Sequence, residues 1–495
     1  MADQVAILHG WSDTSKSFEP LAGFLADNGR RTAPIFLGEY ISLRDDVRIE
    51  DVAKRMEEVV QEGRKSGDLD STFDMVVHST GGLVVRTWIS NHYRDRRCPV
   101  RNLVMLAPAN FGSQLAHKGR SMLGRIYKGW RTGFETGEEM LHALELGSAF
   151  QWQLAQSDLF VPEGTDAASA PTFYGADRVR PYVIVGTVPY DSLAARITNE
   201  DGSDGTIRVA AASMNAYGMT VDFSAGPDAL EQPEVRAWRK RSGDDTRFPI
   251  AVLPDRDHGT VVDPTVAGAS AAPDVRDKLG ELILEALSVD SAATYERARA
   301  SFEAVTMRTR TLAGDSSVGE LARRQVFGDK GVSQAFFHEY YQLVVRVEDE
   351  FGAAIPDYFV SFVPTPKKSL LKITSGLDKT SVFFHSEVLE GTHVHRRNPE
   401  NRCFYIDRFD LMRAGGFYAQ IPQNSARELS FTVTAQDPGD RIAYFSRRRR
   451  AARGVVRLHG REVGDRWLKR HSTHFVKVVV PRAADRSIFK LHTQD

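Results

Sequence analysis

Three residue types spread along the chain could together carry out one piece of chemistry. Ser79 lies in VVHSTGG (76–82), pressed between an apolar run and a pair of glycines. His258 lies in DRDHGT (255–260), just past the apolar run FPIAVLP (248–254), and is the only histidine between Asp204 and residue 290. Between them ITNEDGSDGTI (197–207) offers Asp201 and Asp204, with Asp191 earlier. A serine hydroxyl becomes a nucleophile when an imidazole takes its proton and a carboxylate orients that imidazole. Two backbone N–H groups must then meet the developing oxyanion. Each residue also has a plainer reading: a strand-to-helix turn that contains serine, a solvated Asp-Gly turn, and a polar loop histidine. A calcium loop fits the aspartates poorly, because no glutamate stands at the twelfth position.

These residues need elements to position them. Apolar runs at 4–9, 31–37, 73–79, 101–108, 181–187 and 248–254 read as strands, and amphipathic stretches at 17–28, 50–64, 81–94 and 274–288 read as helices. Such alternation predicts an α/β fold with a doubly wound, mostly parallel sheet covered by helices. Strand 73–79 then runs into a helix starting at Gly81, with Ser79 at the turn. Residues 111–180 are too long for a simple connection. They predict a helical insertion over one sheet edge (Gly119–Tyr127 and Gly137–Leu159), either a lid or an ordinary packed excursion.

The 495 residues suit two or more domains, and the charge is split between them. Residues 1–290 carry 31 Lys+Arg against 42 Asp+Glu, and residues 291–495 carry 33 against 23. The stretch from 291 to about 312 reads as a helix bridging two modules, giving an expected division into 1–290, a helical linker 291–330, and 331–495. From about 335 onward short alternating runs between turn residues predict a smaller antiparallel β-sandwich. Its basic stretch 447–482 holds twelve Arg or Lys, beginning with Arg447, Arg448, Arg449, Arg450 and Arg453, against Glu462 and Asp465. Such a stretch either docks on anionic lipid headgroups or pairs with the acidic first module. No nucleic-acid partner is expected, since no recognised motif or basic-aromatic groove accompanies it. Two distant cysteines, Cys98 and Cys403, argue against a disulfide framework. With no membrane-length apolar run and no basic leader before MADQVAILHG, a cytoplasmic protein is expected, or one exported without a cleaved signal, with peripheral membrane contact.

Residues 1–290 resemble an α/β hydrolase of the lipase/esterase type. The likeness rests on HSTGG (78–82), SDGTI (203–207) and LAPANFGSQLA (106–116), which is similar to the LATPH-x-GS stretch of such lipases. It covers the first module only. It implies the order nucleophile, acid, base: Ser79, Asp204 and His258, with Asp201 as the runner-up acid. It also implies that His9-Gly10-Trp11, after the first strand, forms an oxyanion loop. The N–H groups of Trp11 and Thr80 would then be the donors, with His9, Gly10, His78 and Gly81 supporting loop and turn. Val77 departs from the family pattern G-x-S-x-G at its first glycine. The implied activity is hydrolysis of carboxylic esters through an acyl-enzyme, on a lipid or phospholipid substrate and without cofactor or metal. A serine acyltransferase or peptidase on the same residues, or a non-catalytic binding protein of this fold, are the alternatives.

Overall fold

The computed structural model describes residues 4–8, 18–35, 46–118, 137–190, 199–200, 202–226, 228–230, 232–268, 274–314, 340–366, 385, 389–407, 411–414, 417–420, 426–445, 454–458 and 468–489. His9, Gly10, Trp11, Asp191, Asp201, Gly119–Tyr127 and the basic residues Arg447, Arg448, Arg449, Arg450 and Arg453 lie outside them.

The first part of the chain runs β1 (Gln4–Leu8), α1 (Glu19–Asp27), β2 (Arg31–Ile35), α2 (Ile49–Ser66), β3 (Phe73–His78), α3 (Gly81–His92), β4 (Val100–Leu106), α4 (Glu138–Leu144), α5 (Ala149–Asp158), β5 (Arg180–Gly186), α6 (Val209–Ala212), β6 (Ala216–Asp222), β7 (Glu234–Ala237), β8 (Ile250–Leu253), α7 (Leu279–Leu287) and α8 (Ala292–Gly314). Six of these strands form a parallel sheet in the order β2-β1-β3-β4-β5-β8. Every residue of β1 and β3 is buried, as continuous apolar runs require of strands covered on both faces. From β1 the chain steps outward to β2 and then back across to β3. Right-handed crossovers therefore place α1 on one face and α2 and α3 on the other. On the second face Trp88 of α3 donates to Glu57 of α2 at 2.7 Å.

β8 is an edge strand, and α8 seals it. The Val252 N–H donates to Thr306 Oγ1 at 3.1 Å, while Thr306 and Thr309 donate to the carbonyls of Ile250 and Val252 at 2.8 and 2.7 Å. Helix threonines thus occupy backbone groups that an open edge would offer to another chain. The helix expected as a bridge between modules lies along the first sheet as far as Gly314.

The rest of the chain runs β9 (Tyr340–Asp349), β10 (Tyr358–Pro366), β11 (Leu389–Val394), β12 (Asn401–Asp407), β13 (Leu411–Ala414), β14 (Phe417–Gln420), β15 (Ala426–Ala435), β16 (Ile442–Tyr444), β17 (Gly454–Leu458), β18 (Thr473–Val480) and β19 (Arg482–Ala484). A six-stranded sheet β11-β12-β9-β18-β6-β7 faces a three-stranded sheet β10-β15-β17. Between them lies a core that includes Val221, Leu343, Val345, Phe362, Phe404, Phe431 and Val476. The module is β-rich as expected, and its smaller sheet is antiparallel. The larger sheet is mixed, because β18 runs parallel to both β9 and β6. Alternation in sequence shows which side chains share a face and leaves strand direction open.

β6 and β7, drawn from within residues 1–290, complete the larger sheet. Its alternate side chains, among them Tyr340, Val344, Cys403, Tyr405 and Phe475, turn away from the sandwich and join the core of the first module. Trp152 of α5 packs edge-on against Phe475 and Trp238, with ring centroids 5.2 and 5.4 Å apart. The described part of the insertion is therefore a packed layer in the seam between modules.

Candidate active site

Ser79 stands at the end of β3 with φ +52°, in the left-handed region that costs an L-residue roughly 1–2 kcal/mol. Its backbone is fixed on both sides. The Ser79 N–H donates to Leu106 O at 3.0 Å, and its carbonyl accepts from Gly82 and Ala109, each at 3.1 Å. The 106–116 segment, noted in sequence only for a resemblance, thus holds the serine's backbone. Gly81 explains how Val77 fits beside the turn. A Cβ on Gly81 would stand 3.3 Å from Leu8 O and 3.5 Å from Val77 Cβ, so a bare glycine leaves room for the valine. Beneath the turn, buried Arg86 of α3 is forked onto Asp158 of α5 at 2.8 and 3.0 Å and donates to Asn110 O at 2.9 Å.

His258 follows β8 and reaches across to the serine. Its Nε2 lies 3.1 Å from Ser79 Oγ, and its Nδ1 lies 2.8 Å from Asp204 Oδ2. All three residues are buried. The other carboxylate oxygen of Asp204 accepts the N–H groups of Thr206 (3.0 Å) and Ile207 (2.7 Å), and the Asp204 carbonyl accepts the His258 N–H at 2.9 Å. A carboxylate only accepts, so Nδ1 carries the proton and the Nε2 lone pair faces the serine hydroxyl. The structure therefore brings Ser79, His258 and Asp204 into one hydrogen-bonded chain. His78 Nε2 donates to His258 O at 3.1 Å, and the two rings pack with centroids 4.7 Å apart.

Thr80 is buried at the head of α3, where helical N–H groups and the positive end of the dipole favour negative charge. Its expected co-donor Trp11, the supporting His9 and Gly10, and Asp201 fall outside the described residues. The turn that carries Asp204 leads straight into α6, which touches both modules. Phe111 N–H donates to Ala211 O (2.9 Å), Thr473 Oγ1 to Ala210 O (3.1 Å), and Gln342 Nε2 to Phe111 O (2.8 Å).

A second titratable cluster joins α4 to the β11–β12 hairpin. His142, Glu145 and His395 bring potential ligand atoms within 4.8 Å of one another. The donor set suits a metal poorly. His395 Nδ1 accepts the N–H groups of Arg397 and Asn398 at 3.2 and 3.0 Å, so Nε2 carries the proton and donates to His142 O at 3.1 Å. Burial works to raise the Glu145 pKa. The hydrogen bond from His393, the neighbouring His395 and the Arg396 N–H outweigh it and hold the carboxyl below its usual range. Burial pulls the His395 imidazole below its ordinary value. The cluster is a hydrogen-bonded network across the seam.

Two solved structures of one protein are similar to this chain along almost its whole length. They are phospholipase PlaB from Legionella pneumophila and the same phospholipase in complex with thio-NAD. Each is 23% identical, with TM-scores of 0.72 and 0.71, covering 99% of this chain and 96% of that one. The likeness is one of fold, and the first module has the α/β-hydrolase fold. No family model matches the chain, and no curated protein matches it.

Proposed function

We propose that this protein is a serine hydrolase that cleaves carboxylic esters of lipids, phospholipids foremost. One observation carries the reading: the hydrogen-bonded chain Ser79–His258–Asp204, with the serine on a left-handed turn between strand and helix. Ser79 Oγ attacks the ester carbonyl carbon while His258 Nε2 takes its proton. Asp204 holds the Nδ1–H tautomer and stabilises the imidazolium. The N–H groups of Thr80 and Trp11 receive the oxyanion. The imidazolium then gives its proton to the departing alkoxide, leaving an acyl-enzyme. A water, deprotonated by His258, attacks that ester and releases the acid and the serine. In this reading residues 1–290 carry the chemistry, 291–330 link, and 331–495 are accessory.

Lipid as substrate is supported by the shared fold with a phospholipase and by the basic stretch 447–482, where each cation near an anionic surface is worth about 1 kcal/mol. Lys477 and Arg482 of that stretch pair with Glu348 and Asp349, each at 2.7 Å. In this reading docking falls to Arg447, Arg448, Arg449, Arg450 and Arg453. No helix among the described residues is long and apolar enough to cross a membrane.

The test is hydrolysis of anionic and neutral phospholipid vesicles at low salt, with products read by mass spectrometry and Ser79 labelled by a fluorophosphonate. Loss of both product and label in Ser79→Ala is expected. Undiminished hydrolysis by that variant would overturn the assignment. Equal rates on the two vesicle types would remove the docking role of the basic stretch. Preferential transfer to an added alcohol would make the protein an acyltransferase.

A further inference from the structure

The turn that carries Asp204 is closed on itself. Val209 N–H donates to Gly202 O and Asp204 N–H to Ile207 O, each at 3.2 Å, and Ser203 pairs with Arg208 in an antiparallel bridge. Arg208 therefore leaves the turn where any displacement passes directly to the acid. Its side chain is buried and runs into the second module. The guanidinium carbon lies 4.1 Å from the ring centre of Tyr340 on β9 and 4.2 Å from that of Tyr405 on β12. The two rings stand edge to face at 82°. Arg208 Nη2 donates to Glu390 Oε2 on β11 at 3.3 Å, and Tyr340 OH donates to the same oxygen at 2.6 Å. Arg208 Nε lies 3.7 Å from Glu200.

This differs from Arg86, another buried arginine near the site. Arg86 is forked onto Asp158, a geometry that satisfies charge with charge. Arg208 instead lies against two nearly perpendicular aromatic rings at 4.1 and 4.2 Å while its Nη2 bonds Glu390, a set of contacts spread over a guanidinium that a single lysine ammonium does not reproduce. Tyr340, Tyr405 and Glu390 all belong to the second module. We infer that Arg208 is a positioning residue for Asp204: held in the corner formed by Tyr340 and Tyr405, it ties the acid's turn to the second module, which thereby completes the site without touching substrate. The inference rests on the proposed roles of Ser79, His258 and Asp204.

The test uses the full chain with Arg208→Met, Arg208→Lys, Tyr405→Leu and Tyr340→Phe. A soluble nitrophenyl ester reports kcat, KM and the pH profile, and low-field proton NMR reports the His258 Nδ1–H resonance without substrate. Arg208→Met is expected to lower kcat about 100-fold, as a misplaced catalytic group does. KM should stay within about twofold, the pattern of an interaction felt in the transition state rather than in binding. The acidic limb of the kcat/KM profile should move to lower pH, since a loosened carboxylate stabilises the imidazolium less, and the resonance should weaken in the folded protein. Arg208→Lys, which keeps the charge and loses the guanidinium's contacts, should recover little, and Tyr405→Leu should follow Arg208→Met. Tyr340→Phe, which keeps the ring, should stay near wild type; a large loss there would shift the tie to Glu390 and overturn the ring-contact account.

Should Arg208→Met fail to fold, Arg208→Lys and Tyr405→Leu carry the same readouts. Wild-type kcat, profile and resonance in the arginine and Tyr405→Leu variants would overturn the inference while leaving Ser79 labelling, and so the hydrolase reading, intact. A wild type that neither labels nor hydrolyses would sink the hydrolase reading. Even then an unchanged resonance would refute the tie, because that signal needs no turnover.

Discussion

The two halves of the candidate site are supported by different parts of the chain. Ser79 stands just past β3, where the parallel sheet fixes its backbone through buried partners such as Leu106 O, and His258 follows β8 with its N–H held by Asp204 O. Asp204 sits on a turn between a long connection and the four-residue α6. What steadies that turn from outside comes from afar: Glu390, which bonds Arg208, lies 182 residues along the chain. In the proposed reading the nucleophile, carried on a strand end, needs only the first module to fold, whereas the acid, carried on a turn, needs the second module to dock as well. Damage to the seam between modules should therefore reach chemistry through the acid.

The largest effects should separate the halves directly. Ser79→Ala and His258→Ala are each expected to lower kcat about 10⁶-fold. Asp204→Asn should cost about 10⁴-fold, because the serine and the imidazole remain but the tautomer is wrong. Single-turnover release from a chromogenic ester measures all three. An Asp204→Asn loss as deep as that of Ser79→Ala would erase the distinction between a reacting pair and a positioned acid.

Next comes the seam itself. Phe475 of β18 is buried against Trp152, Phe160 and Trp238. Phe475→Ala should lower stability by about 3–5 kcal/mol, the range for a large aromatic removed from a core. Urea unfolding followed by tryptophan fluorescence reads it. At denaturant-free conditions the same variant should lose kcat without losing fluorophosphonate labelling altogether. Full activity in a clearly loosened protein would mean that the acid does not depend on the seam.

A pair of glycines sharpens the comparison at smaller energy. Gly205 (φ +92°) follows Asp204, and an added Cβ would stand 2.6 Å from the Tyr190 ring. Gly67 (φ +88°), past the end of α2, has nothing within 4 Å of such a Cβ. Alanine at either site takes on a left-handed backbone, worth roughly 1–2 kcal/mol. Only Gly205→Ala should also displace the acid, so thermal melts should fall in both and kcat in one.

What could be read from sequence follows the same division. The strands of the first sheet are legible because burial on both faces leaves continuous apolar runs such as Met75–Val77, and Ser79 and His258 are noticeable because each follows one. The β-rich character of the last third is legible from its alternation. Strand direction is not, and neither is the recruitment of AYGMTVD (216–222) into the second module's sheet, because pairing partners leave no mark on one strand's pattern. Arg208 is the extreme case. An arginine after an Asp-Gly turn reads as surface charge until Tyr340 and Tyr405 are seen packed against it.

The smallest expected effect lies at the far end of the seam, where His395 faces Glu145, His142 and His393. In its neutral form both ring nitrogens are used: Nδ1 accepts two backbone N–H groups and Nε2 donates to His142 O. Protonation would break the accepting bonds, and burial already holds the imidazole below its ordinary 6.5. As pH falls below 6.5 the unfolded chain takes up a proton that the folded chain refuses until its own lower pKa is reached. Stability therefore drops with falling pH across that window. Glu145, depressed as a carboxylate, adds its loss only at lower pH, below its ordinary 4.5. His395→Gln should cost about 1 kcal/mol at pH 7.5 through the lost backbone hydrogen bonds and should flatten the slope between pH 6.5 and the depressed value. Urea midpoints at constant ionic strength measure both. If wild type and variant lose stability in parallel, the seam is not held by a neutral His395. If the variant alone stays flat while wild-type kcat falls with its midpoint, the acid's half of the site loosens with the seam.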